Sequence, residues 1–587
     1  MAWASRPRRN SMSSVGSGSG LLSLDSRPNS AYGAARVGSL AGSRSGGKSS
    51  VMEKYSLGPS PEEWGLPLYI QETDDALHDP RTLDDSRGHV FTWRGFTNLG
   101  CLVLLGVGCV ALFAAYPMIT SFMEKRLTTQ GGFNLGGINA TGQLPDLPGN
   151  FQMIDRDTPR EAYTKPSYRN PAEEMVLVFS DEFNMDGRTF YPGDDPFWEA
   201  VDLHYWGTND LEWYDPVQAT TEGGSLRLKI ERANPEDNHN MNYRSGMIQS
   251  WNKFCFTGGI LEASVQLPGS SIVSGLWPAV WAMGNLGRAG YGGSLEGMWP
   301  YSYDTCDIGT LINQTNPDGS KTPVAAWTNG DPKFDGQLSM LPGQKLSACT
   351  CAGEDHPGPK RPDGTFVGRA APEIDVIEAI VDNEEGFVSL SAQWAPYNAR
   401  YIPLNDSAHF IIHNEDTIQN SFIGGGFQQT TSGLARTNQN CYELGTGCYA
   451  VYAFEYKPGF DEGYITWVND NKLSWTQLGT SMEADPVADI GRRVVSQEPM
   501  YIIANLGLSL GFGTVDFERL IFPAVMSVDY IRVYQPAGQI NVGCDPKDFP
   551  TAAYIEKHKK AYTNANLTRW ETEVKEPWPK NRLVDQC

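Results

Sequence analysis

The sequence predicts an all-β sandwich or barrel, preceded by a disordered tail and one membrane-spanning helix. Three observations carry that expectation. From about residue 171 onward, short apolar runs alternate with turn residues. Between Gly95 and Met123 no charged residue occurs. Before about residue 60 the chain is rich in Ser, Gly, Arg and Ala and has no hydrophobic period.

The tail comes first. Residues 1–94 read as a disordered segment followed by a juxtamembrane stretch with little core. The first fifty residues carry Arg6, Arg8, Arg9, Arg27, Arg36, Arg44 and Lys48 against the single acid Asp25. The whole chain nevertheless has a net charge of −23, so the acidity lies further on. A chain this acidic lacks the basic footprint that phosphate contacts need, which argues against a nucleic-acid partner.

Residues 95–123 read as a transmembrane signal anchor. The run Leu99–Phe113 and its flanks exceed the roughly 20 apolar residues that cross a bilayer as a helix. The basic tail favours an N-terminus in the cytoplasm, a type II arrangement in the endoplasmic reticulum, Golgi or plasma membrane. Two patterns agree. The glycosylation acceptors Asn139, Asn313, Asn405 and Asn566 all follow the span. So do eight of the ten cysteines, an even number suited to disulfides in an oxidising compartment. Their pairing is not readable from spacing, although Cys441 and Cys448 are close enough for a local loop.

Residues 124–170 read as a lumenal stem rich in Gly, Pro and Asn. Residues 171–540 hold the β domain. Its candidate strands are Met175–Phe179, Ser225–Glu231, Gly259–Leu267, Leu276–Met283, Ile374–Ile380, Tyr449–Tyr456, Tyr464–Val468, Tyr501–Leu506 and Ser527–Tyr534. Most are β-branched and aromatic, with Gly, Pro, Asn or Asp between them. Residues 541–587 read as a polar C-terminal tail, tied down through Cys544 or Cys587.

The chemistry concentrates in Glu373-Ile374-Asp375-Val376-Ile377-Glu378. Side chains alternate along a strand, so Glu373 and Asp375 share one face. Strict alternation sends Glu378 to the other face. A β-bulge at Val376-Ile377 returns it to the face of Glu373. Two carboxyl groups about 5–5.5 Å apart perform glycoside hydrolysis with retention, and crowding three acids raises at least one pKa. Glu373 and Glu378 suit the two principal roles, with Asp375 between them. Trp281 and Trp394 are candidates to stack on sugar rings, and Gln393 to bond sugar hydroxyls. Trp277 and Asn505 fit core or sheet-edge duties equally well. No metalloprotease His-Glu-x-x-His pattern, phosphate-binding loop or Gly-x-Gly-x-x-Gly occurs. Neither a metal nor a cofactor is expected.

The same hexapeptide resembles the active-site signature of glycoside hydrolase family 16, the laminarinase-like enzymes. Phe179-Ser180-Asp181-Glu182-Phe183, Gly246–Ser250 with Gly258–Ala263, Gly275–Trp281 and Val528–Tyr534 are similar to further landmarks of that family, in the same order. The resemblance covers about 171–537 and implies a concanavalin A-like jelly-roll sandwich. It also implies catalytic roles for Glu373, Asp375 and Glu378. Over most of its length, tail included, the chain resembles the fungal β-glucan synthesis-associated group. That implies a retaining hydrolase or transglycosylase acting on cell-wall β-glucan, the β-1,6-linked polymer first, alongside other wall-assembly proteins. The alternative is a non-catalytic glucan-binding scaffold or folding factor of the secretory pathway. Two departures stand out. About ninety residues separate Trp281 from Glu373, expected to form loops around the cleft, and Pro372 stands just before the motif.

Overall fold

The structure is a computed structural model. It describes residues 92–116, 118–119, 152–295, 306, 319–322, 324–328, 332–336, 348–369, 372–394, 401–424, 428–487, 491–583 and 585–587. The helical segment near the N-terminus and the β domain belong to separate compact units.

The helical segment is an α-helix, Trp93–Val110, continued by a π-helical turn, Ala111–Ala115. It overlaps the expected span, beginning two residues before it, and its leucines and valines are exposed. Among the described residues no helix is long and apolar enough to cross a membrane.

Among the described residues the β domain is a sandwich of two sheets. All nine candidate strands form. The smaller sheet has eight strands, in the order Thr417–Gln419, Gln429–Arg436, Glu385–Trp394, Glu373–Asp382, Leu276–Gly284, Met500–Leu508, Met247–Gln249 and Glu199–Ala200. The larger has twelve, centred on Ala450–Lys457, Gly259–Gln266 and Ala524–Pro536. Neighbouring strands in the smaller sheet all run antiparallel. Together they make the jelly-roll sandwich expected from the sequence.

Tight turns set the registers. Glu373–Asp382 and Glu385–Trp394 are joined by Asn383-Glu384, both at positive φ. That two-residue geometry matches the natural twist of the strands it joins. Asp470-Asn471 does the same between Tyr464–Asn469 and Lys472–Leu478. The inward faces bury one large apolar cluster, with Trp467 stacked on Trp475 at 4.2 Å. Burial on this scale removes apolar surface from water at about 25 cal/mol per Å².

Both ends of the domain extend further than the sequence suggested. Thr164–Pro166 pairs with Glu174–Asp181, and Ile154 packs on a small core, so part of the expected stem belongs to the sandwich. Residues beyond 541 are tied down through both Cys544 and Cys587, and they are also packed rather than merely polar. Tyr554, Ile555, Ala561, Tyr562, Trp570 and Val574 are buried in one cluster with Met247, Met283, Tyr501 and Ile503. Cys255 is bonded to Cys544, Cys351 to Cys587 and Cys306 to Cys349. The local Cys441–Cys448 loop also forms. Thus residues 348–369 of the long insert are tied to the C-terminal segment. Its Asp355 bonds His558 and pairs with Lys557 at 2.8 Å.

Candidate active site

The acidic hexapeptide opens the strand Glu373–Asp382, in the middle of the smaller sheet. Glu373 lies across from Gln393, and Asp375 from Ser391; the register then slips, and Glu378 lies across from Ser389. The opposite neighbour records the same irregularity, with Trp281 across from Asp375 and Ala279 across from Glu378. Val376 and Ile377 fill the extra step and sit in the sandwich core. The bulge therefore carries Glu378 back to the face of Glu373 and Asp375. From the core side, the Trp467 indole N–H donates to the Asp375 carbonyl at 2.9 Å and pins the bulge.

The three carboxyls line a narrow cleft with Tyr205, Thr208, Asp210, Trp277, Ala279, Trp281 and Asn505. They are only 9%, 1% and 6% exposed for Glu373, Asp375 and Glu378. Ser391 Oγ lies 2.7 Å from Asp375 Oδ2 and 3.0 Å from Glu378 Oε2, so its single proton serves either. Among the described residues no Lys or Arg pairs with Asp375 or Glu378. Burial therefore dominates their titration. The Glu378 carboxyl is pushed up to about 7 by burial, against opposing contacts from Ser391 and Trp277. Asp375 is raised well above the carboxylate range by burial, then by the charges of Glu373 and Glu378. A cleft so arranged keeps a proton near neutral pH and places other carboxyl oxygens beside it.

Trp281 does line the cleft. Its N–H donates to Asn505 Oδ1 at 2.9 Å, which commits Asn505 to holding the ring. Trp277 lines it too, stacked on Phe512 at 4.3 Å. Gln393 shares the face of Glu373, and among the described residues its buried amide atoms have no hydrogen-bond partner. Trp394 is a correction. It sits in the sandwich core, with its N–H donating to Thr431 Oγ1 at 2.8 Å. Alternation explains this, because the residue after Gln393 must point the other way. Asn405 and Asn566 are exposed in loops, whereas Asn139 and Asn313 lie outside the described residues. Among the described residues no group of three or more His, Cys, Asp or Glu is placed to hold a metal.

Sequence reasoning missed Tyr205, Thr208 and Asp210. They come from a loop, where no alternation marks a face. The run Asn209-Asp210-Leu211-Glu212-Trp213-Tyr214, acids beside aromatics, was the available signal.

A family model described as beta-glucan synthesis-associated protein SKN1/KRE6/Sbg1 matches residues 65–587. The beta-glucan synthesis-associated protein KRE6 of Saccharomyces cerevisiae is 42% identical over 542 residues, covering 89% of this chain and 70% of that protein. SKN1 of the same yeast is 40% identical, covering 89% and 66%, and SKN1 of Candida albicans is 40% identical, covering 88% and 68%. The chain thus spans about two thirds of the length of these relatives. Among solved structures, an endo-beta-1,3-glucanase from Pyrococcus furiosus is similar at 16% identity and a TM-score of 0.36, covering 64% of this chain and 98% of that one. The laminarinase from Rhodothermus marinus is similar at 20% identity and a TM-score of 0.33, covering 62% and 98%.

Proposed function

The chain belongs to the β-glucan synthesis-associated family, and from that premise we propose that it is a retaining β-glucan hydrolase or transglycosylase acting in fungal wall assembly. The observation that carries this reading is the trio of buried carboxyls on one face of a bulged strand, inside a cleft walled by Trp277 and Trp281. Glu373 attacks the anomeric carbon while Glu378 gives its proton to the departing oxygen, leaving a glycosyl ester on Glu373. Glu378, now ionised, takes a proton from water or from a sugar hydroxyl. That oxygen attacks the same carbon and releases Glu373. Water yields hydrolysis, and a sugar hydroxyl yields transfer. The raised pKa of Glu378 suits the residue that must start protonated. Asp375 and Ser391 keep the pair in place. Trp281 and Gln393 contact the sugar, and β-1,6-linked glucan is the intended polymer. The segment 95–123 anchors the chain with its N-terminus in the cytoplasm, and Asn405 and Asn566 carry glycans in the secretory pathway.

The near-complete burial of the acids favours one second reading, a scaffold that holds glucan without turning it over. One experiment separates the two. The full chain, purified in detergent, is incubated with β-1,3- and β-1,6-gluco-oligosaccharides beside its Glu373→Gln variant, and products are weighed by mass spectrometry. Shorter or longer products that vanish in the variant support the enzyme. Unchanged oligosaccharides from folded wild-type protein support the scaffold.

A further inference from the structure

A fourth acid, Asp210, reaches the same cleft from outside the smaller sheet, with the buried Glu212 two residues along the chain. Asp210 lines it together with Trp281, Asn505 and the three carboxyls of the bulged strand. The loop that carries it is held firmly. Asp210 bridges to Ser509, the Leu211 N–H donates to the Leu508 carbonyl at 2.9 Å, and Ser509 Oγ donates to the Thr208 carbonyl at 2.7 Å. Thr208 Oγ1 donates to Asp210 Oδ1 at 2.7 Å. Glu212 is fully buried, and both its oxygens lie 3.2 Å from the Leu508 N–H.

These acids are linked to the cleft's tryptophan. Trp281 donates to Asn505, whose Nδ2 donates to the Tyr214 hydroxyl at 3.1 Å, and Tyr214 in turn lies against Asp210. Among the described residues neither Asp210 nor Glu212 pairs with Lys or Arg. Two buried carboxyls without a cation do not both ionise at neutral pH. Burial raises both, and Asp210 reaches about 7 although Thr208, Tyr214 and Glu212 hydrogen bonds oppose the rise. A wall residue needs no such penalty, since an amide satisfies the same donors without ionising. A carboxyl facing a sugar has a use for it, because a half-protonated pair both donates to and accepts from hydroxyls.

We propose that Asp210 is a substrate-contacting residue, its carboxyl hydrogen-bonding a ring hydroxyl of the glucosyl unit that reaches Glu373 and Glu378, with Glu212 sharing its proton. This rests on the reading of the cleft as a β-glucan site. Binding is then strongest while the pair keeps one proton and weakens as that proton leaves. The groups facing Asp210 are Glu212, Tyr214 and Tyr205 on its own segment, and Glu373, Asp375 and Glu378 across the cleft. The His204 ring meets only its carbonyl, at 2.8 Å.

The test is calorimetric titration of β-1,3- and β-1,6-gluco-oligosaccharides into the full chain carrying Glu373→Gln, which removes turnover. Titrations are run at about pH 6 and about pH 8, either side of the Asp210 ionisation at about 7. Adding Asp210→Ala is expected to weaken binding about tenfold or more at the lower pH, the loss typical of a hydrogen bond to an ionisable group. Adding Asp210→Asn keeps a donor and an acceptor. It is expected to hold affinity within about threefold at the lower pH and to lessen the loss on going to the higher one, with Glu378 titrating alike in parent and variant. If Asp210→Ala does not fold, the Asp210→Asn pH dependence decides alone. Binding in the Glu373→Gln parent that Asp210→Asn leaves with the same pH dependence, or that Asp210→Ala leaves undiminished, overturns the role of Asp210 and spares the glucan reading. No binding by the parent overturns both.

Discussion

Two groups of buried acids are met in opposite ways. Around the larger sheet, Asp181, Asp195, Glu182 and Glu262 are each met by a cation. Arg188 forks onto Asp181 at 2.7 and 2.8 Å and reaches Asp195 at 2.7 Å, and Arg532 forks onto Glu182 at 2.9 and 2.7 Å. Lys165 pairs with Glu262. In the middle of the smaller sheet, Asp375 and Glu378 meet Ser391, each other and apolar walls. Paired carboxylates stay ionised and hold structure together. Unpaired buried ones keep a proton at neutral pH, at a cost in stability, and are available for acid–base work. The difference separates two populations of buried acid that look alike in composition.

That contrast is most sharply tested by exchanging Glu378 for Gln. Turnover should fall about 100- to 10,000-fold, as loss of a general acid–base group does, measured by product formation from whichever gluco-oligosaccharide the wild type converts. Next in size is the cation side. Arg188→Met leaves Asp181 and Asp195 buried together and should cost about 3–5 kcal/mol in denaturant unfolding. A loss near zero would erase the distinction drawn between the sheets.

Glu378→Gln should move stability the other way. A carboxyl whose folded pKa is raised binds more protons folded than unfolded between its unfolded value and about 7, so it destabilises the fold as pH rises through that window. The variant should therefore gain about 1–2 kcal/mol over wild type above pH ~7.5 and little at pH ~4, read by thermal unfolding at both. The same ionisation predicts that wild-type kcat/KM falls as pH rises through about 7. The smallest effect is expected from Ser391→Ala. Removing a hydroxyl that stabilises the ionised form should shift that alkaline limb upward by about half a unit to one unit.

How much of this was legible in the residues varies by element. The nine strands announced themselves because β-branched and aromatic runs between turn residues have few other uses. The bulge followed from parity alone, since three acids with a two-residue apolar gap cannot otherwise share a face. Trp394 obeys the same parity: it is one step beyond Gln393 on its strand and so faces the core. The C-terminal segment looked polar because its buried aromatics are scattered, and only packing against Met283 and Tyr501 gathers them.

By itself, then, the sequence determined the sandwich, the acidic strand and the even set of cysteines beyond the helical segment, because each is a local pattern or a count. The tertiary structure decided which cysteines meet, which acids have cations and that Asp210 joins the cleft. Those are contacts between residues far apart in the chain. Asp210 lies more than a hundred and sixty positions from Glu373. Only the closing of the sandwich brings them together, and it also excludes the water that would otherwise keep Asp210 ionised.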